Sequence, residues 1–124
     1  MAEKRFFKNP KELGKGGEAM AAAFLREKGY KIFETNFRKR IGEVDIIAMD
    51  GKKQYVFVEV KTRRGSAYGY PEEAVSPRKL HKMLVTGQLW LALNKINTEH
   101  YRLDVISIEM KHGDAHITHL ENIF

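Results

Sequence analysis

The chain contains no cysteine, so it can form neither a disulfide nor a thiolate metal site, and its composition suits a reducing cytoplasm. It has no apolar run of about 18 residues, so no segment is expected to span a bilayer. The opening Met1-Ala2-Glu3-Lys4-Arg5-Phe6-Phe7 lacks the apolar stretch and small-residue cleavage site of a secretory signal. Internal repeats, low-complexity segments and linker-like stretches are also absent. Residues 1–124 therefore read as a single domain, with residues 1–12 a flexible basic extension. Size scaling predicts burial of roughly two-thirds of the unfolded surface.

Acidic charge is in deficit. Lys and Arg total 22 against 16 Asp and Glu, a net +6 with a pI near 9.5. Such an excess steers polyanions toward a protein and makes nucleic acid a candidate partner, although a well-solvated surface explains net charge equally well. The distribution adds weight. Lys4, Arg5, Lys8, Lys11 and Lys15 crowd the start, Arg38, Lys39 and Arg40 are consecutive, and Arg63 and Arg64 follow an apolar run. Clusters near element ends can follow a phosphate backbone.

The periodicity predicts an α/β protein of order α-β-β-β-α-β-β. A first helix begins between Asn9 and Gly14, is secure from Gly17, and ends at Lys28, with Gly29 suited to the C′ position. Strands follow over Lys31–Phe37, Gly42–Met49 and Gln54–Thr62, the last two joined through Asp50-Gly51. The third strand is apolar on both faces, which places it inside a sheet covered by helices. A glycine-rich loop runs from Arg63 to about Val75. Ser76 as N-cap and Pro77 at N1 open a second helix to about Leu93. Strands over Tyr101–Met110 and Ala115–Leu120 complete the chain. The second helix is expected to cross over and set the Tyr101 strand parallel to the third.

Two strands break their own apolar faces with charge. Glu43 and Asp45 share a face with Ile47 and Met49, and Glu59 and Lys61 share one with Tyr55 and Phe57. Antiparallel pairing brings the start of one strand beside the end of the other, so three carboxylates and an ammonium converge. Gathered carboxylates repel and resist desolvation, a cost that a hard divalent cation such as Mg²⁺ or Mn²⁺ removes. Asp45 and Glu59 are the expected ligands, with Lys61 placed to orient an attacking water or offset charge on a phosphate. The triplet Glu59-Val60-Lys61 alone is weak, since such a triplet occurs by chance at about one position in two hundred. Coupling to Gly42-Glu43-Val44-Asp45 across the hairpin gives it weight. Glu18 by itself reads as an acidic residue in a first helical turn.

Gly14-Lys15-Gly16-Gly17-Glu18, Asn36-Phe37-Arg38, Gly42 to Ile47, Phe57 to Arg63 and Arg102-Leu103-Asp104-Val105 together resemble the YraN family of predicted bacterial nucleases. That group is similar to archaeal Holliday junction resolvases and belongs to the restriction-endonuclease-like superfamily. The resemblance implies a three-layer fold with a central mixed sheet between helices. It also implies Asp45, Glu59 and Lys61 as a catalytic core, with Glu18 reaching the metal from the first helix. Glu43 matches a family block, its catalytic role left open.

Other constellations are weaker. His116 and His119 point to opposite faces of a strand and do not form a zinc pair. Gly14 to Gly17 lacks the preceding strand and the Gly-Lys-Ser/Thr ending of a phosphate loop. Trp90 and Leu91 read as core or as a dimer contact.

The leading expectation is an Mg²⁺- or Mn²⁺-dependent cytoplasmic endonuclease on DNA, including branched DNA. Arg38, Lys39, Arg40, Arg63, Arg64 and Lys15 are its expected nucleic-acid contacts. The alternatives are a non-catalytic nucleic-acid-binding protein that keeps the fold, and a basic interaction protein with a structural salt-bridge cluster. A homodimer is expected by analogy with resolvases, which cut two strands.

Overall fold

Val56, Phe57 and Val58 are all fully buried, as a strand apolar on both faces requires, and the strand that carries them lies inside a six-stranded sheet. The computed structural model describes residues 2–7, 13–64 and 75–123. Its elements are β1 (Ala2–Phe7), α1 (Leu13–Glu27), β2 (Lys31–Lys39), β3 (Gly42–Met49), β4 (Tyr55–Arg64), α2 (Pro77–Leu93), β5 (Tyr101–Lys111) and β6 (Asp114–Leu120). The sheet order is β1-β6-β5-β4-β3-β2, antiparallel except for the parallel pair β4–β5 on either side of the α2 crossover. One helix covers each face. Met20, Phe24 and Leu25 of α1 pack on Ile46, Val56, Val58, Ile106 and Ile117, while Met83, Trp90 and Leu91 of α2 pack on Ile47, Phe57, Leu103 and Val105. This is the three-layer α/β arrangement expected from the sequence.

The helix ends follow the local chemistry. Gly29 takes a φ of +88°, and the N–H groups of Gly29 and Tyr30 return to the carbonyls of Arg26 and Leu25, closing α1 as a Schellman turn. Ser76 caps α2 by accepting from the Lys79 N–H at 3.2 Å, with Pro77 behind it. The helical run of α1 breaks at Gly16, whose φ of −164° and ψ of 42° are non-helical, so regular helix starts at Gly17.

Three features differ from the sequence expectation. Ala2–Phe7, read as part of a flexible extension, instead form β1 and pair antiparallel with β6 from Ala2↔Leu120 to Phe7↔Ala115. Consecutive charges at Glu3, Lys4 and Arg5 hide the alternation, and such charge suits an edge strand. In β2, a register shift between Ile32 and Glu34 breaks strict alternation. Phe33 and Glu34, which alternation sends to opposite faces, both reach Trp90: the Phe33 ring centroid lies 5.7 Å away and Glu34 Oε1 accepts from the indole at 3.0 Å. The third difference is in the β3–β4 ladder, which stops at Ile46↔Val58, short of the charged residues.

Candidate active site

Where β3 and β4 part, the carboxylate of Asp45 enters the gap. Its Oδ2 accepts from the Val60 N–H at 2.8 Å, replacing the strand carbonyl that would otherwise satisfy that donor. Asp45 is 6% exposed and Glu59, on the next strand, 2%. The two acids were expected side by side through continued pairing, but a side chain inserted between separating strands brings them together instead.

Glu59 is asymmetrically satisfied. Its Oε1 meets Lys79 Nζ at 2.9 Å and Lys61 Nζ at 3.6 Å. Its Oε2 is buried and accepts no hydrogen bond among the described residues. A buried carboxylate oxygen with no donor carries a desolvation cost that a cation would remove. Burial, more than any other factor, pushes the Asp45 carboxyl up to about 7; the Val60 N–H opposes this, and the negative charges of Glu59, Glu18 and Glu43 add to it. The other three sequence-selected acids thus all act on Asp45.

Each arrives by a local device. Glu18 is half-buried in the first regular turn of α1, and its neighbour Gly17 abuts Thr62, whose Cγ2 would collide with any Cβ there. The missing side chain lets the helix approach the end of β4. Glu43 starts β3 and binds Arg38 Nε of β2 at 2.8 Å. Gly42, at a φ of +156°, would place a Cβ 2.7 Å from Thr86 Oγ1, so β3 begins directly beneath α2.

Lys79 was not among the residues selected from the sequence. It reaches Glu59 from the first turn of α2, and that ion pair, with the charges of Asp45 and Glu43, raises its pKa despite partial burial. A signal was available, since the first turn of α2 holds no acid and carries Arg78 and Lys79, contrary to the usual preference at a helix N-terminus.

Of the expected nucleic-acid contacts, Arg38, Lys39 and Arg40 are exposed around the β2–β3 turn, with Lys39 Nζ 5.3 Å from the Phe37 ring centroid. Arg63 is half-buried near the end of β4. The side chains of Lys15 and Arg64 and the loop from Gly65 to 74 lie outside the described residues, as does the Asn9-Pro10 helix start.

A second polar cluster lies at the start of β5 and the end of β6, on the α1 face. Asp104, His119 and Glu121 bring potential ligand atoms within 4.8 Å of one another, so by composition the cluster could hold a metal. Its center is already cationic. Arg102 donates to Asp104 at 3.0 Å, Asp50 at 2.7 Å and Glu121 at 2.9 Å. Lys28 donates to His119 Nδ1 at 2.7 Å, which assigns the ring proton to Nε2, and Nε2 donates to Asp104 at 2.8 Å. His116 lies on the face of β6 opposite His119.

The fold and this geometry define an α/β protein with four acids and two lysines gathered where two strands part. A model of the uncharacterised protein family UPF0102 matches residues 17–108, and the chain belongs to that family, the YraN group to which the sequence resemblance pointed. It is 44% identical over 114 residues to the UPF0102 protein of Syntrophomonas wolfei, covering 92% of this chain and 98% of the relative. The UPF0102 protein of Syntrophotalea carbinolica is 41% identical over 112 residues, covering 90% of each. Among solved structures, Pyrococcus furiosus SfsA in complex with Ca²⁺ aligns at a TM-score of 0.38 and 16% identity. That alignment covers 91% of this chain and 64% of SfsA, under two-thirds of its length, and has no bearing on function. No helix among the described residues is long and apolar enough to cross a membrane.

Proposed function

We propose that this protein is a metal-dependent endonuclease that hydrolyses phosphodiester bonds in DNA, branched forms included. The observation that carries the reading is Glu59 Oε2, a buried carboxylate oxygen without a donor, beside an Asp45 whose carboxyl is pushed up to about 7 by burial and by its acidic neighbours. Charges in this state favour a hard divalent cation, and oxygen-only donors suit Mg²⁺ or Mn²⁺. Asp45 and Glu59 would hold it, with Glu18 contributing from α1. A cation bound there supplies Lewis acidity toward a phosphodiester oxygen and lowers the pKa of water.

The chain's own groups supply the rest. Lys61, half-exposed at the mouth of the site, orients an incoming water or offsets charge on the phosphate. Lys79 holds Glu59 Oε1 and leaves Oε2 free to ligate a cation. Glu43, tied to Arg38, adds negative potential. Arg38, Lys39, Arg40, Arg63, Arg64 and Lys15 supply a basic surround for the strand. A homodimer acting in the cytoplasm would present two such sites, as cutting both strands of a junction requires; gel filtration with light scattering tests the pairing.

The test is incubation of the purified chain with linear, nicked and four-way-junction DNA in Mg²⁺ or Mn²⁺. Cleavage is expected, with Asp45→Ala and Glu59→Ala each reducing it by about 100-fold or more. A wild type that cuts none of these DNAs, or variants that cut as well as wild type, would sink the reading.

A further inference from the structure

The acidic site opens onto a cleft of about 260 Å³ between the start of β3 and the first two turns of α2, lined by Gly42, Glu43, Ser76, Arg78, Lys79, Lys82 and Met83. We propose that this cleft seats a phosphate of the nucleic-acid strand adjacent to the phosphate that reacts, held by Arg78 and Lys82. The proposal rests on the nuclease reading for its substrate class, and it adds a binding surface to that reading.

Three observations carry it. The first is connection: Lys79 lines the cleft and its Nζ lies 2.9 Å from Glu59 Oε1, so cleft and carboxylates share a wall. A strand with one phosphate at Asp45 and Glu59 must run past some neighbouring surface, and this one is cationic. The second is unspent charge. Arg78 and Lys82 are exposed and have no ion-pair partner among the described residues, while the cleft's carboxylate, Glu43, is already paired with Arg38. The third is position. Cations in the opening turns of a helix face the positive end of its dipole, an arrangement that weakens the helix unless an anion lies between them. α2 has no acid in its first turn, and Glu59 answers only Lys79. Gly42 brings the start of β3 close against α2, where an added Cβ would lie 3.3 Å from Lys82 Cβ, so the β3 start and the Lys82 turn form adjoining walls of the cleft.

The experiment measures affinity of the full-length chain for a labelled DNA duplex across a salt series in EDTA, where cleavage cannot interfere. Wild type is compared with Arg78→Gln/Lys82→Gln, with each single variant, and with Lys31→Gln/Lys52→Gln. The last pair removes equal charge from exposed residues at the other end of the β2–β3–β4 sheet. Each lost phosphate contact should make the slope of log affinity against log salt shallower by about 0.9. The cleft double variant is therefore expected to bind more weakly with a slope shallower by about 1, the singles by less than that, and the control to match wild type. A cleft variant indistinguishable from the control overturns the proposal. So does calorimetry in which inorganic phosphate fills the cleft while loss of Arg78 and Lys82 leaves DNA binding unchanged, since the site then serves a free anion. Absence of salt-dependent DNA binding by wild type overturns this proposal, while the nuclease reading stands or falls on cleavage in Mg²⁺ or Mn²⁺. A protein that cuts nothing in Mg²⁺ but shows the slope change loses only the nuclease reading.

Discussion

Asp45 has an unusual environment: nearly buried, held by one backbone donor and surrounded by three further carboxylates. Its folded-state pKa of about 7 lies above the ordinary 3.8, so between those values the folded chain holds a proton that the unfolded chain releases. Stability from this group is therefore fully present below about pH 4 and is lost as pH rises through 7, by up to about 4 kcal/mol at 1.36 kcal/mol per pH unit. Asp45→Asn keeps the shape and the acceptor for Val60 while removing the titration. In EDTA, the variant should melt well above wild type at pH 8 and the gap should close near pH 4; parallel melting curves across that range would show that the carboxyl is unperturbed. Mg²⁺ should raise the wild-type melting temperature at pH 8 by binding the folded state, and should do little for Asp45→Asn. A residue that costs stability when ionised, yet sits among acids, is better explained by a ligand than by packing.

The elements that bring these residues together are set by close approaches as well as by periodicity. Gly87 of α2 lies against β4, where an added Cβ would sit 2.6 Å from Cδ2 and Cε2 of the fully buried Phe57 ring. Gly87→Ala gains up to about 1 kcal/mol of helix propensity but overpacks the core at a cost of about 1–3 kcal/mol. We expect a lower urea midpoint with unchanged slope; a raised midpoint would mean that the ring yields. Periodicity made most of the fold legible: the β3–β4 hairpin, the doubly buried β4, the Ser76–Pro77 helix start and the parallel placement of β5 all follow from local pattern. Asp45, Glu59 and Lys61 were legible because charge interrupts apolar strand faces. The bulge after Ile32, the end of the ladder at Ile46↔Val58 and the Lys79–Glu59 contact were not, because each depends on what another element brings. The hairpin turn shows the same limit. Asp50-Gly51 marks it, yet the loop runs to Gln54, Lys53 takes the positive φ of 65°, and Asp50 Oδ1 accepts from Lys52 and Gln54.

Across the whole molecule, the sheet carries two buried charge clusters of opposite character. At the candidate site, acids outnumber bases and one buried carboxylate oxygen lacks a donor. Around Arg102, the guanidinium answers Asp50, Asp104 and Glu121, and Tyr30 also accepts from it. Burial alone would raise the Asp104 pKa, but hydrogen bonds from His119, Arg102 and the Asn122 N–H, with the Arg102 charge, lower it overall. Stability from this group is therefore present above the ordinary carboxylate value and lost as pH falls from there through the lowered folded value. The contrast separates a cluster that is complete without a ligand from one that is not. Arg102→Met leaves three acids without their common cation and should cost about 3–5 kcal/mol, the usual penalty for breaking a buried pair from one side. It should also unfold at a higher pH on acid titration than wild type. If Arg102 is scaffold, Mn²⁺ titration of the remaining folded protein should give wild-type affinity, while Asp45→Asn binds poorly. The reverse pattern, with Mn²⁺ binding lost in His119→Ala or Glu121→Gln and kept in Asp45→Asn, would move the metal to the Arg102 end of the sheet and leave the acids at the β3–β4 opening without a ligand.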